Sequence, residues 1–137
     1  MAIEDFQVIL RMKNTKFKDV VEYMLNVTNV KNIDGGFFNY VDGVHLIEIE
    51  VREGGISMRF ALCNPDTIDF AFLELVDKTK CMFSAELMNM ESEYSLDLKE
   101  SIRIKRSLWR NDFGGAIAAL TCKEAIAKYI LKETIDN

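Results

Sequence analysis

Residues 36–62 read GFFNYVDGVHLIEIEVREGGISMRFAL, and they open a longer stretch, residues 36–87, that decides the fold. Asp42-Gly43 and Gly54-Gly55 are two-residue turn signals with alternating apolar residues on either side, a pattern typical of β-hairpins with type I′ turns. The stretch therefore predicts three antiparallel strands in a meander, followed by a helix and a fourth strand.

These two turns, taken as the centres of tight hairpins, predict the register of the meander. All of the resulting pairs except Val41 with Val44 place their side chains on one face of the sheet. That face is predicted to be buried, because a one-residue slip would turn all of its apolar side chains toward water. The predicted pairs are Val41 with Val44, Tyr40 with His45, Phe38 with Ile47, Val51 with Met58, Ile49 with Phe60 and Ile47 with Leu62.

The opposite face of the meander is predicted to be polar, with Glu50 opposite Arg59 as an exposed ion pair. Glu48 and Glu50 share this face as a glycosidase pair or metal ligands would, but the ion pair is the commoner outcome. His45 is the only histidine of the chain, which argues against most nucleophilic and metal-dependent chemistry. We expect it in the core, bonded to the Tyr40 hydroxyl. No catalytic, cofactor-binding or metal-ligating residue is therefore predicted.

Length and composition predict one globular domain over residues 1–137, since the chain is 49% hydrophobic and 28% charged. The net charge of −5 disfavours nucleic acid as a partner. No apolar run approaches the ~20 residues of a membrane span, and the N-terminus is acidic where a secretory signal would be basic. Cys63, Cys81 and Cys122 are far apart and form no C-x-x-C motif, so we expect buried reduced thiols in a cytoplasmic protein.

The first part of the chain predicts one helix. Residues 3–13 fit either a strand or a short helix, and this choice stays open. Asn14 or Thr15 is expected to cap a helix whose apolar stripe runs from Phe17 to Leu25. The polar residues 26–34 are expected to connect this helix to the meander.

A second helix is predicted over residues 65–77, with Asn64 as its cap and Pro65 at its first position. Its core stripe leaves Phe70 and Leu73 on the far side of the helix. Two large apolar side chains there require a second contact. That contact is either another part of the same chain or a second subunit.

The last third of the chain is expected to begin with a strand over residues 80–88. Residues 94–110 favour a long interrupted strand, because Ile102 and Ile104 are β-branched and two apart; a helix through Leu98, Ile102 and Trp109 is the alternative. Asp112 is expected to cap a final helix over residues 113–134. The predicted fold class is therefore α+β, with an antiparallel sheet of about five strands and helices on one face.

Residues 98–110 form a basic stretch in an otherwise acidic chain. They contain five cationic side chains and one acid, so the remaining residues hold 12 basic and 21 acidic side chains out of totals of 17 and 22. The stretch is either a solvated strand edge protected by charge or a docking surface for an acidic partner, with Trp109 as an anchor. The cationic residues are Lys99, Arg103, Lys105, Arg106 and Arg110.

The predicted order of helix, three-stranded meander, helix, strand, strand and helix resembles the fold of class I type III secretion chaperones and of the related YbjN-type bacterial proteins. The resemblance spans residues 15–133 and includes the turns at Asp42-Gly43 and Gly54-Gly55 and the cap at Asn64-Pro65. It implies a homodimer without enzymatic activity or cofactor, which binds an extended segment of a partner protein. It transfers no functional residues.

The leading hypothesis is therefore a dimeric protein-binding module of chaperone or adaptor type, with no nucleic acid or membrane among its partners. An immunity protein that neutralises one enzyme is a second hypothesis. A small enzyme or ligand-binding protein with a pocket between sheet and helices is a third. The residues predicted for a dimer or partner interface are Phe70, Leu73, Arg103, Lys105, Arg106 and Trp109.

Overall fold

The computed structural model describes residues 5–88 and 97–112, except for the side chains of residues 111 and 112. The described chain forms one antiparallel sheet of six strands and three helices, which confirms the predicted α+β class. The spatial order of the strands is β2-β3-β4-β5-β1-β6. The elements are β1 (Asp5–Arg11), α1 (Phe17–Leu25), β2 (Val30–Asp34), β3 (Phe37–Asp42), β4 (His45–Arg52), β5 (Gly55–Ala61), α2 (Ile68–Phe83), β6 (Glu86–Met88) and α3 (Leu98–Asp112).

Both predicted hairpin registers are wrong by two residues. Asp42 pairs with His45 and Arg52 pairs with Gly55, so the loops are residues 43–44 and 53–54. Each loop has one residue with positive φ, at 60° for Gly43 and 82° for Gly54, whereas a type I′ turn requires two. A shift of two residues keeps every side chain on its face, so the predicted apolar face is correct although its pairs are not.

The apolar face of the sheet is the core of the described chain. β1 lies beside β5 and pairs Phe6 with Phe60, which settles residues 5–11 as a strand. The ring of Phe72 from α2 packs edge-on over both, with centroid distances of 6.0 Å to Phe6 and 4.7 Å to Phe60. Val20 and Met24 of α1 are also buried. The helices therefore cover the face that the alternation identifies.

Two short segments differ from prediction near α1. Residues 26–34 were expected to be a connection, but they contain the edge strand β2, which pairs with β3. Neither Asn14 nor Thr15 caps α1: its N-cap is Lys16, which makes no side-chain cap bond. The Thr15 hydroxyl instead donates to the carbonyl oxygen of Lys13 at 3.2 Å.

Helix α2 begins later and ends later than predicted. Asn64 does not cap it, because its side chain accepts from the backbone N–H of Leu46 at 3.0 Å and donates to the carbonyl oxygen of Ala61 at 2.8 Å. The helix continues to Phe83 and ends where Ser84 takes a left-handed conformation with φ of 51°. The strand predicted over residues 80–88 is therefore reduced to the three residues of β6.

The strand prediction for residues 94–110 is wrong from Leu98 onward, because this part of the chain is the helix α3. The alternative prediction, a helix through Leu98, Ile102 and Trp109, is correct. Asp97 starts this helix: its carboxylate accepts from the backbone N–H of Glu100 at 2.7 Å. Ile102 and Trp109 are buried one above the other at helical spacing. Residues 94–96 and the helix predicted over residues 113–134 lie outside the described residues.

The expectation of buried reduced thiols also fails within the described chain. Cys63 is buried and disulfide-bonded, whereas Cys81 is an exposed free thiol. Cys122 lies outside the described residues. Among the helices that the structure describes, none is long and apolar enough to cross a membrane.

Candidate interaction site

The outer side of α2 carries a row of four exposed side chains, Phe70, Glu74, Lys78 and Met82, which we call the α2 ridge. They are spaced four residues apart, so they form one continuous ridge along the helix. Phe70 is 75% exposed and Met82 is 59% exposed. Between them, the Lys78 ammonium lies 2.7 Å from a Glu74 carboxylate oxygen, and this hydrogen bond raises the pKa of Lys78.

The other side of α2 is fixed in the core, so the ridge must point outward. Ile68, Phe72, Leu75 and Val76 are buried. The sequence predicted Phe70 and Leu73 as the outer apolar pair, and the structure separates them. Phe70 is exposed, but Leu73 is half-buried and packs against the core. The predicted helix ended at residue 77, which hid the continuation of the ridge to Met82.

Helix α3 is held to α2 by a buried ion pair. The guanidinium of Arg106 donates to both carboxylate oxygens of Asp69, at 2.9 Å and 2.6 Å. The hydrogen bond to Asp69 raises the pKa of Arg106, against the effect of burial. Arg110 extends the contact by donating to Asp66 at 2.7 Å. Two residues of the predicted basic docking surface therefore bind the same chain, one at α2 and one at the turn before it.

The remaining residues of the predicted docking surface are also distributed around α3. Arg103 is exposed and is bonded to Glu100 within the helix. Lys105 is half-buried and also makes an interaction. Trp109 is only 3% exposed, so it anchors α3 to the core and presents no surface. The structure does not assemble these side chains into one patch.

The side chains that suggested chemistry are engaged in structural bonds. His45 is half-buried and not part of the core as expected. Its Nε2 lies 2.6 Å from the Thr67 hydroxyl, whereas the Tyr40 hydroxyl donates to Asp42 at 3.3 Å, so the predicted bond between His45 and Tyr40 is absent. Across residues 5–88 and 97–112 there is no group of three or more His, Cys, Asp or Glu side chains that could hold a metal ion.

The polar face of the sheet carries several ion pairs, two of which involve Glu48 and Glu50. Arg59 bonds to Glu48 at 2.8 Å, not to Glu50, because of the two-residue shift. Glu50 instead lies 2.8 Å from Arg52 on its own strand. Each of these two carboxylates therefore forms an ion pair with an arginine.

A cleft of about 510 Å³ lies beside the α2 ridge, between α2, strand β3 and the loop that follows α1. Val27, Ala71 and Leu75 form its apolar lining, and Asn29 and the Tyr40 side chain contribute polar groups. Glu74 and Lys78 line it too, so the cleft opens directly next to the ridge. Sequence reasoning missed this cleft because it depends on the loop conformation at residues 26–29.

No family model, curated protein or solved structure matches the chain.

Proposed function

We propose that this protein is a non-enzymatic protein-binding module of chaperone or adaptor type that acts as a homodimer. The observation that carries the proposal is the α2 ridge, where two large apolar side chains are exposed on a well-formed helix. Leaving a Phe or Met side chain in water forgoes roughly 1.5–3 kcal/mol compared with burying it. A two-fold interface buries the same side chain in each subunit, so each dimer gains the free energy of two such burials.

The chaperone or adaptor class rests on the resemblance of element order described above. That order has changed in two places, since β2 adds a fourth strand to the meander and residues 98–112 are helical. The dimer proposal is independent of these changes, because it depends only on the exposed residues of α2. The partner we propose is an extended segment of another protein, and the net charge of −5 continues to disfavour nucleic acid.

Oligomeric mass tests the dimer directly. We expect the full chain to elute from a sizing column with a light-scattering mass of twice 15.7 kDa. Phe70→Asp should shift the mass toward the monomer while the far-ultraviolet circular dichroism is retained. Val44→Asp is the matched control, because Val44 is 57% exposed but lies in the loop between β3 and β4. Equal masses for the two variants would contradict the proposed interface.

Partner binding needs a separate test. Full-length chain immobilised through a terminal tag should retain one protein from native lysate in a stoichiometric amount, and limited proteolysis should reduce the bound partner to a short segment. Recovery of the chain without any stoichiometric partner, in lysates from several growth conditions, would count against the module.

The cleft of about 510 Å³ supports a second candidate function, binding of a small molecule with both apolar and hydrogen-bonding groups. In that case a ligand should raise the melting temperature of the wild-type protein, and Ala71→Trp should abolish the shift by filling the cleft. A ligand that raises the melting temperature of wild type and of Ala71→Trp equally would bind outside the cleft, which would contradict this second candidate.

A further inference from the structure

The α2 ridge has an apolar side chain at each end and two opposite charges between them, so reversing its direction exchanges only the charges. From one end the order is apolar, acidic, basic and apolar, and from the other end it is apolar, basic, acidic and apolar. The midpoint of the ridge falls between Glu74 and Lys78. Phe70 and Met82 lie twelve residues apart, or about 18 Å along the helix axis.

The geometry points to a specific partner for this ridge: the α2 ridge of a second copy, packed in the opposite direction. In this arrangement Phe70 contacts Met82 of the second copy, and Glu74 lies next to its Lys78. The inference rests on the proposed homodimer and adds its orientation and register. It fixes which residue meets which across a two-fold axis that passes between Glu74 and Lys78.

Helix geometry permits this contact. Side chains at i, i+4, i+8 and i+12 form the ridges that interdigitate when two helices cross at about −50°, the commonest crossing class in globular proteins. At this crossing the two ridges run side by side along their whole length. Because the row turns about 40° around the helix at each step, Glu74 and Lys78 then lie at the centre of the contact, and Phe70 and Met82 lie at its two ends.

Charge decides between the two possible directions. In the single chain, Glu74 and Lys78 already form a pair, with side chains that are 64% and 65% exposed. Opposed ridges create a ring in which each carboxylate lies between two ammonium groups. Ridges packed in the same direction would place Glu74 against Glu74 and Lys78 against Lys78. Such like-charge contacts disfavour association, so only the opposed direction is self-complementary.

The exposed side of α1 shows what a ridge without this property looks like. Lys18 and Glu22 are exposed on α1 at the same four-residue spacing, and the next position in that row is the polar Asn26. This row has charges of both signs but no large apolar side chain at its end. This row therefore has the same kinds of charge as the α2 ridge but no apolar side chain to bury in an interface, so it serves as a matched control.

Charge variants test the register. Glu74→Lys gives a chain whose ridge carries two cations, and Lys78→Glu gives one whose ridge carries two anions. Each variant alone should form a homodimer at least about tenfold weaker than wild type, the equivalent of 1.4 kcal/mol. Mixed in equal amounts, the two should form a heterodimer, since both contacts are then between opposite charges. The double variant Glu74→Lys with Lys78→Glu should dimerise like wild type.

Sedimentation velocity and native mass spectrometry provide the readout, and circular dichroism checks that each variant is folded. The intrachain pair is broken in both single variants, alone or mixed, so a gain on mixing reports contact between chains. Lys18→Glu and Glu22→Lys, tested in the same way, should leave dimerisation unchanged.

The alternative outcomes separate this inference from the proposed function. A wild-type dimer whose stability is the same in both single variants, or single variants that fail to associate when mixed, would overturn the ridge register and leave the homodimer in place. A wild-type chain that stays monomeric would overturn both.

Discussion

Arg106 and Asp69, 37 residues apart in sequence, form a two-pronged ion pair in which both nitrogens of the guanidinium end reach the carboxylate, at 2.9 Å and 2.6 Å. The Arg106 side chain is 7% exposed and that of Asp69 is 21% exposed, so the pair is largely removed from water. This contact fixes the position of α3 against α2.

Removing one member of this pair should destabilise the fold. Asp69→Ala leaves a buried guanidinium with only the longer contact to Asp66, at 3.4 Å. We expect a loss of about 3 kcal/mol in the free energy of unfolding, the lower end of the range for a buried pair. Replacing both members, with Asp69→Leu and Arg106→Met, should recover much of this loss because no charge then remains buried. Urea denaturation measures both. Arg103→Ala, on the exposed side of α3, should cost less than about 0.5 kcal/mol; an equal effect of Arg103→Ala and Asp69→Ala would contradict the account.

The sheet register can be tested by a double-mutant cycle. Arg59 pairs with Glu48 across β4 and β5, and Glu50 lies opposite Ser57. Substituting Arg59 and Glu48 by Ala, singly and together, should reveal a coupling of about 0.2–1 kcal/mol in the free energy of unfolding. The same cycle on Arg59 and Glu50 should give a coupling close to zero. A larger coupling to Glu50 would restore the register that the turn signals suggested.

The phenylalanine cluster should dominate the core. Phe60 packs against Phe6 and Phe72, with ring centroids 5.9 Å and 4.7 Å away. Phe60→Ala leaves a cavity between the sheet and α2 and should cost about 3–5 kcal/mol. Val44→Ala, in an exposed loop position, should change stability by less than about 0.5 kcal/mol. Thermal and chemical denaturation measure both losses of stability. Similar losses for the two substitutions would contradict this packing.

Tyr40 should ionise later than an ordinary tyrosine. Burial is the largest effect and raises its pKa above the usual 10.0, against a hydrogen bond with Asn29 that lowers it. The neutral phenol is thus favoured in the folded state, so its stabilising contribution is complete below pH 10.0 and is lost as the pH rises through the folded pKa. The tyrosinate absorbance that is lost in Tyr40→Phe should titrate above pH 10.0; titration at or below this value would contradict the burial of the phenol.

Apolar alternation was enough to predict the buried face of the meander, because side-chain direction along a strand has a period of two residues. It could not give the pairs, since a register shift of two residues leaves each side chain on the same face. The backbone conformation of Gly43 and Gly54 decides between the registers, and a glycine permits several turn types.

Helical signals failed where two periodicities coincided. Residues 80–87 alternate like a strand, yet no helix-breaking residue follows Asp77, and α2 continues until Ser84 takes a left-handed conformation. In α3, Asp97 was the available signal for a helix start, but the β-branched Ile102 and Ile104 favoured a strand. The extension of α2 is what adds Met82 to the row that begins at Phe70. The candidate site was therefore only half visible in the sequence.

Light scattering of the wild-type chain at about 50 µM, a concentration at which a dimer with a micromolar dissociation constant is populated, tests the central claim most directly. The homodimer built on the α2 ridge predicts a mass of twice 15.7 kDa, and a reduced mass for Phe70→Asp under the same conditions. A wild-type mass of 15.7 kDa at this concentration would contradict it.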